Sequence, residues 1–244
     1  MRPSRRMLLS QNGGLVHEFW RAHNREYLMS EPRAKLLYLR SLFRALRHKS
    51  VNSEVMIHSY CIMSNHAHMV VRYKNASQKL SDFMRVAHCV FGQTLNKIYK
   101  RQGAVAYDRP KTPLVQEQLR NVMRVHFYVE ANPLRARMVR DLKLYEYSSY
   151  SFYAWGKVNE FTSRLTAPEW YMELGKTAKA RQSRYRSLFN HYLDEVMKRS
   201  RELTGGRFIG SEEWVSERDA NYFALIRAAR SMKGSADPPS NLMV

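Results

Sequence analysis

Acidic residues are scarce in this chain. Its 244 residues carry 21 Asp and Glu against 41 Lys and Arg, a formal net charge of +20. The excess is spread along the sequence rather than gathered in a tail, and a folded protein so unbalanced calls for an anionic partner. Cysteine is almost absent. Cys61 and Cys89 alone supply neither a disulfide framework nor a zinc-ribbon spacing, and a reducing cytosol fits them. No apolar run reaches the length of a membrane span. The first ten residues are basic but lack the sustained apolar stretch of a signal peptide. Aromatic residues are plentiful by contrast: 12% of the chain, with fifteen Tyr set among the Arg. Base-stacking surfaces are built that way, so nucleic acid is favoured over an anionic lipid surface. A hydrophobic fraction of 44% is ordinary for a globular protein, and the length suits one domain with a large appendage or two small ones.

Periodicity gives an order of elements. After Gly13-Gly14, Leu15 to His23 has the length and aromatic content of a strand. Leu36, Leu39, Leu42, Phe43 and Leu46 recur at helical spacing between Glu31 and Lys49, with Pro32 in the first turn. Val55 to Met63 and His66 to Tyr73 read as paired strands joined at Ser64-Asn65. A long amphipathic helix is predicted from Lys79 to Lys100, then a Pro-interrupted basic loop and short edge strand over Val105 to Val115. Gln118 to Ala131 reads as a helix that should end there, because Asn132 precedes Pro133. Together these predict an α+β fold: a mostly antiparallel sheet with helices gathered on one face. A boundary is expected just after Gly156. Beyond it come a short helix with a capping box at Thr166 and Glu169, a basic helix from Lys176 to Glu202, and a last helix from Ser211 to Arg230. The termini, residues 1–12 and 234–244, are expected to be flexible.

Two stretches carry chemical promise. His66-Ala67-His68 opens the second strand of the hairpin, so its two imidazoles would share one face. Neutral imidazole is the commonest protein metal ligand, although two half-exposed strand histidines would give the same spacing. On the helix before Pro133, Tyr128 and Asn132 are i, i+4 neighbours. If they face the histidines, two imidazoles and one side-chain oxygen could bind a divalent ion with positions left open. A mixed nitrogen and oxygen set without thiolate suits Mg²⁺ or Mn²⁺. A phenol beside it is a potential nucleophile toward a phosphodiester. A tyrosine packed on the sheet would satisfy the same pattern.

The run Tyr60-Cys-Ile-Met-Ser-Asn-His66-Ala-His68 resembles the His-hydrophobic-His motif of the HUH endonuclease superfamily. Tyr128-Val-Glu-Ala-Asn-Pro-Leu-Arg-Ala136 is similar to the Tyr-(Ile/Val)-x-x-Asn-Pro-x-Arg-Ala segment of single-tyrosine transposases, and Tyr147-Ser-Ser-Tyr150 also fits their pattern. More narrowly, the chain resembles REP-associated tyrosine transposases over roughly residues 13 to 155. The resemblance implies a ferredoxin-like sheet of HUH type over residues 13–156, with a basic helical extension over 157–233. It implies cleavage and rejoining of single-stranded DNA at repetitive extragenic palindrome hairpins, beside a short guide tetranucleotide, in a bacterial cytoplasm. By position, Tyr128 carries over as nucleophile, His66 and His68 as metal ligands, and Asn132 as third ligand. Many relatives have Gln at that last position.

Phosphate contacts are expected from Arg109 and Lys111, which lie in a segment similar to the family's Gln-x-Arg-Phe-Lys-Ser, and from Arg135. Arg181, Arg184 and Arg186 on the extension are further DNA-binding candidates. His58, whose parity in the preceding strand the sequence does not fix, is expected to be a neighbour or a packing residue rather than a ligand. A monomer or a homodimer would serve, without any membrane. Two rival readings remain: a hairpin DNA- or RNA-binding protein that keeps the fold without catalysis, and a metallohydrolase built on His-x-His. The second lacks the Asp-His continuation after His68 that metallo-β-lactamase-type sites carry.

Overall fold

The structure is a computed structural model that describes residues 13–75, 77–106, 108–198 and 200–234. The expected flexible termini lie outside those residues, apart from Gly234. Five strands form one sheet: β1 (Gly14–Arg21), β2 (Val55–Ile62), β3 (His66–Tyr73), β4 (Leu114–Val115) and β5 (Phe208–Ile209), in the order β2-β3-β1-β4-β5. Every pairing is antiparallel except the parallel one between β4 and β5. The α+β class follows directly from this arrangement.

The helices divide between the two faces of the sheet instead of gathering on one. Helices α1 (Pro32–Leu46) and α2 (Ser77–Ile98) share a core with Val16, Trp20, Ile57, Ala67, Met69 and Val71. The opposite face, carrying Leu15, Cys61 and Val70, packs against α3 (Leu119–Arg135) and α4 (Tyr150–Trp155). The physical reason is legible in β3, where Met69-Val70-Val71 is apolar without alternation. A strand with one wet face would alternate.

Helix α3 runs straight through Pro133 to Arg135 and does not stop at Ala131. Pro133 has no N–H to give the carbonyl of Val129, four residues back. The Asn132 side chain supplies the missing donor: its Nδ2 lies 3.2 Å from the Val129 oxygen and 2.9 Å from that of Tyr128. The helix therefore keeps its hydrogen-bond ladder without the proline nitrogen. Helix α4 ends at Gly156, whose φ of +69° is a left-handed turn that favours glycine.

The extension is built into this core. Helix α5 (Glu169–Glu173) starts later than the expected capping box. Thr166 forms no cap; its backbone N–H donates to Ile57 and its carbonyl accepts from His58, which fixes it along the edge strand β2. Helix α6 (Ala178–Lys198) lays Tyr185 and Phe189 against Phe127 of α3, with ring centroids 5.4 and 5.5 Å apart. Burying aromatic side chains of this size contributes about 2–3 kcal/mol each. Arg124 of α3 clamps the same junction, with Nε 2.7 Å from Glu195 and Nη2 3.0 Å from Glu202. The basic helix expected over 176–202 is described as α6 and α7 (Ser200–Thr204), on either side of residue 199, which lies outside the described residues. The chain then adds β5 to the sheet edge before α8 (Glu212–Gly234). Among the described residues no helix is long and apolar enough to cross a membrane.

Candidate active site

The strand period decides which side chains of β1 and β3 meet. In β3, His66, His68 and Val70 point to the α3 face; in β1, which pairs Phe19 with His68 and Arg21 with His66, the residues on that face are Leu15, His17, Phe19 and Arg21. Helix α3 crosses above them and turns Tyr128 and Asn132 downward. The Tyr128 ring stands edge-on to His68 at 5.8 Å and to His17 at 5.5 Å. His66, His68, Tyr128 and Asn132 line one cavity of about 860 Å³. The two sequence motifs, sixty residues apart, therefore form one site.

The hydrogen bonds leave specific atoms free. His66 Nδ1 lies 2.6 Å from Asn65 Oδ1, and the Asn65 amide nitrogen donates to the Arg25 carbonyl. Asn65 Oδ1 can only accept, so His66 carries its proton on Nδ1 and presents a bare Nε2. Burial, then the charges of Arg21 and Arg135, lower the His66 pKa to about 4. Burial also pushes His68 well below its ordinary range, with His17 and His66 adding to the effect. Both rings are neutral at pH 7 and fit for ligation. Asn132 is 5% exposed. Because its nitrogen is committed to helix carbonyls, its oxygen is the atom left to accept from the cavity side.

No group of three or more His, Cys, Asp and Glu among the described residues could hold a metal. The Asn132 amide oxygen is a side-chain atom on the cavity that could serve as a third donor beside these histidines. Two imidazole nitrogens and the Asn132 oxygen are a donor set compatible with Mg²⁺ or Mn²⁺, with coordination positions left open.

The cavity is strongly cationic. Arg21, Arg25, Arg109, Lys111 and Arg135 line it, against Asp108 as the acidic residue. Lys111 Nζ lies 5.9 Å from the centre of the Phe19 ring, which itself stacks 5.5 Å from His68. Arg135 places its guanidinium 4.5 Å from the Tyr128 ring centre. A cation cluster flanked by a half-buried aromatic suits a phosphodiester strand with unstacked bases.

Of the ten expected site residues, seven meet here: Tyr128, His66, His68, Asn132, Arg109, Lys111 and Arg135. Arg181, Arg184 and Arg186 do not line the cavity. Arg181 donates to the Gly175 carbonyl at 3.0 Å, Arg184 to Leu174, and Arg186 to Ala154 while lying 4.2 Å from the Trp155 ring centre. His58 occupies a bulge in β2, where its Nδ1 donates to Thr166 at 2.6 Å, away from the cavity. The sequence reading passed over His17, Phe19, Arg21 and Arg25. For three of them the signal was parity: His17, Phe19 and Arg21 share a face with the pair once β1 is placed beside β3, whereas Arg25 lies in the turn after the strand.

No family model and no curated protein matches the chain. A solved structure described as the REP-associated tyrosine transposase bound to a REP hairpin is similar in fold. The two share 14% sequence identity and a TM-score of 0.49, over 65% of this chain and 92% of the other.

Proposed function

We propose that this protein is a metal-dependent, single-tyrosine DNA endonuclease and strand transferase of the HUH type, acting on single-stranded DNA beside REP-like hairpins. The observation that supports it is the convergence of Tyr128, His66, His68 and Asn132 on one cationic cavity. In the reaction the Tyr128 oxygen attacks the scissile phosphorus and gives up its proton to solvent. The bond from phosphorus to the 3′ oxygen breaks, and that oxygen takes a proton to become a free 3′-hydroxyl. The 5′ end stays on the protein as a phosphotyrosine ester, and attack by a second 3′-hydroxyl reverses the step and joins strands. His66, His68 and Asn132 would hold a divalent ion whose charge stabilises the phosphate oxygens. Arg135, over the tyrosine ring, and Arg21 and Lys111 around the cavity hold the anionic strand.

The test is a hairpin oligonucleotide with a single-stranded flank, incubated with protein and Mg²⁺ or Mn²⁺ and run on a denaturing gel. A covalent adduct and a free 3′-hydroxyl fragment are expected, and Tyr128→Phe should abolish both. Cleavage by Tyr128→Phe at the parent rate would refute the mechanism. Tight hairpin binding without cleavage under either metal would instead favour the non-catalytic binding protein, for which the 3% exposure of Tyr128 beneath Arg135 speaks.

A further inference from the structure

We propose that His17 is a positioning residue that fixes the tautomer of His68, and that the C-terminal extension holds His17 in turn through the backbone carbonyl of Leu203. The inference rests on the function proposed above and deepens it. His17 Nδ1 lies 2.8 Å from the Leu203 oxygen, and His17 Nε2 lies 2.9 Å from His68 Nδ1. A carbonyl oxygen can only accept, so His17 Nδ1 must donate. A neutral imidazole has one N–H, which leaves His17 Nε2 as an acceptor. His68 Nδ1 is then the donor to it, and the proton of His68 is held on the side away from the cavity. The lone pair on His68 Nε2 is free, as is that of His66. The arrangement is a chain of two directed hydrogen bonds, donated from His68 to His17 and from His17 to Leu203, among three buried residues.

This geometry has a reason in the chemistry of imidazole. A free neutral ring exchanges between two tautomers, and the one protonated on Nε2 cannot ligate a metal through that atom. Ligating histidines are commonly oriented by a partner on the other nitrogen, and loss of such a partner weakens metal binding by roughly 10–100-fold. For His66 the partner is a neighbouring side chain, Asn65. For His68 it is a second histidine, whose own partner is 186 residues away in sequence. Thr204 lines the cavity directly, so α7 approaches the site as well as supporting it. The extension therefore supports the metal pair without contributing a ligand to it.

The test uses the full-length protein, His17→Phe and His17→Gln, with two readouts that need no DNA. Nitrogen-15 NMR of the metal-free protein should show His68 protonated on Nδ1 in the parent. In His17→Phe, which keeps an aromatic ring and removes both hydrogen bonds, the two tautomers should mix. Titration with Mn²⁺ should show affinity lower by roughly 10–100-fold in His17→Phe and partly restored in His17→Gln, whose amide oxygen can accept from His68. Circular dichroism and thermal melting establish that each variant is folded. A parent His68 protonated on Nε2, or a folded His17→Phe with parent Mn²⁺ affinity, would overturn the proposal while leaving the Tyr128 adduct assay untouched. If the parent binds no Mn²⁺, the proposed nuclease reading fails and the tautomer measurement decides the relay alone.

Discussion

Two buried histidines should make this protein sensitive to mild acid. His17 is wholly buried and His58 is 5% exposed. Burial lowers each pKa from 6.5 to about 4, against an opposing backbone hydrogen bond to Leu203 or Thr166. In the unfolded chain both rings return to 6.5. Below that value the unfolded state binds protons that the native state refuses. Stability is therefore full above pH 6.5, falls as the pH drops, and levels off below about 4. The gap is worth about 3 kcal/mol per ring across the whole window and about 2 kcal/mol per ring between pH 7 and pH 5. A domain's entire stability is about 5–15 kcal/mol, so the loss should be easy to see. The assay is urea unfolding followed by circular dichroism from pH 7.5 to 4.5, at fixed ionic strength with chelator present. His58→Asn keeps a donor for Thr166 but does not titrate, and it should reduce the loss between pH 7 and pH 5 by about 2 kcal/mol. A parent whose stability is flat over that range would refute the reasoning. So would a variant with the parent's pH slope.

The buried Glu130 accepts from Ser149 at 2.5 Å and from Tyr185, joining the tyrosine helix to the sheet and to the extension. Glu130→Ala leaves both hydroxyls without that acceptor and should cost about 2–6 kcal/mol in denaturant unfolding, against about 1–3 kcal/mol for Tyr185→Phe. Asn132→Ala should cost about 1–2 kcal/mol in the parent and less in a Pro133→Ala background, where the restored backbone N–H can serve Val129. A double-mutant cycle measures that difference. Arg109→Ala with Lys111→Ala should weaken binding to single-stranded DNA and flatten the salt dependence of log K by roughly 1–1.5, if both contact phosphate.

Much of the site was written in local patterns. The spacing of His66 and His68 is a strand period, and that of Tyr128 and Asn132 is a helix period. Each pair therefore has a fixed direction before any tertiary contact is known. The elements around them followed from amphipathic spacing as well, with α1 beginning at Pro32 as its first turn predicts. What local reading missed depends on long-range pairing or on backbone chemistry. The passage of α3 through Pro133 turns on a side-chain amide replacing a backbone donor, which no propensity encodes. The strand Phe208–Ile209 is two residues long and exists because the open edge of β4 receives it. His17 gains its meaning only from register, since its neighbours His68 and Leu203 lie 51 and 186 residues away.

The dependence of the site on residues so late in the chain has a consequence for synthesis. By the time Asn132 is added, the tyrosine, both histidines and the amide oxygen have all been made. Leu203 follows 71 residues later, and at about 5–20 residues per second that is roughly 4–14 s of translation. Until Phe189 and Glu195 are made, late in that interval, α3 has neither its packing on the one nor its clamp to the other, and His17 has no carbonyl to hold it until Leu203 is added. Contacts this distant in sequence form late because the intervening loop must close first. The growing chain thus holds its reactive groups apart from their supports until the extension arrives, and the assembled site waits on residues made well after its own.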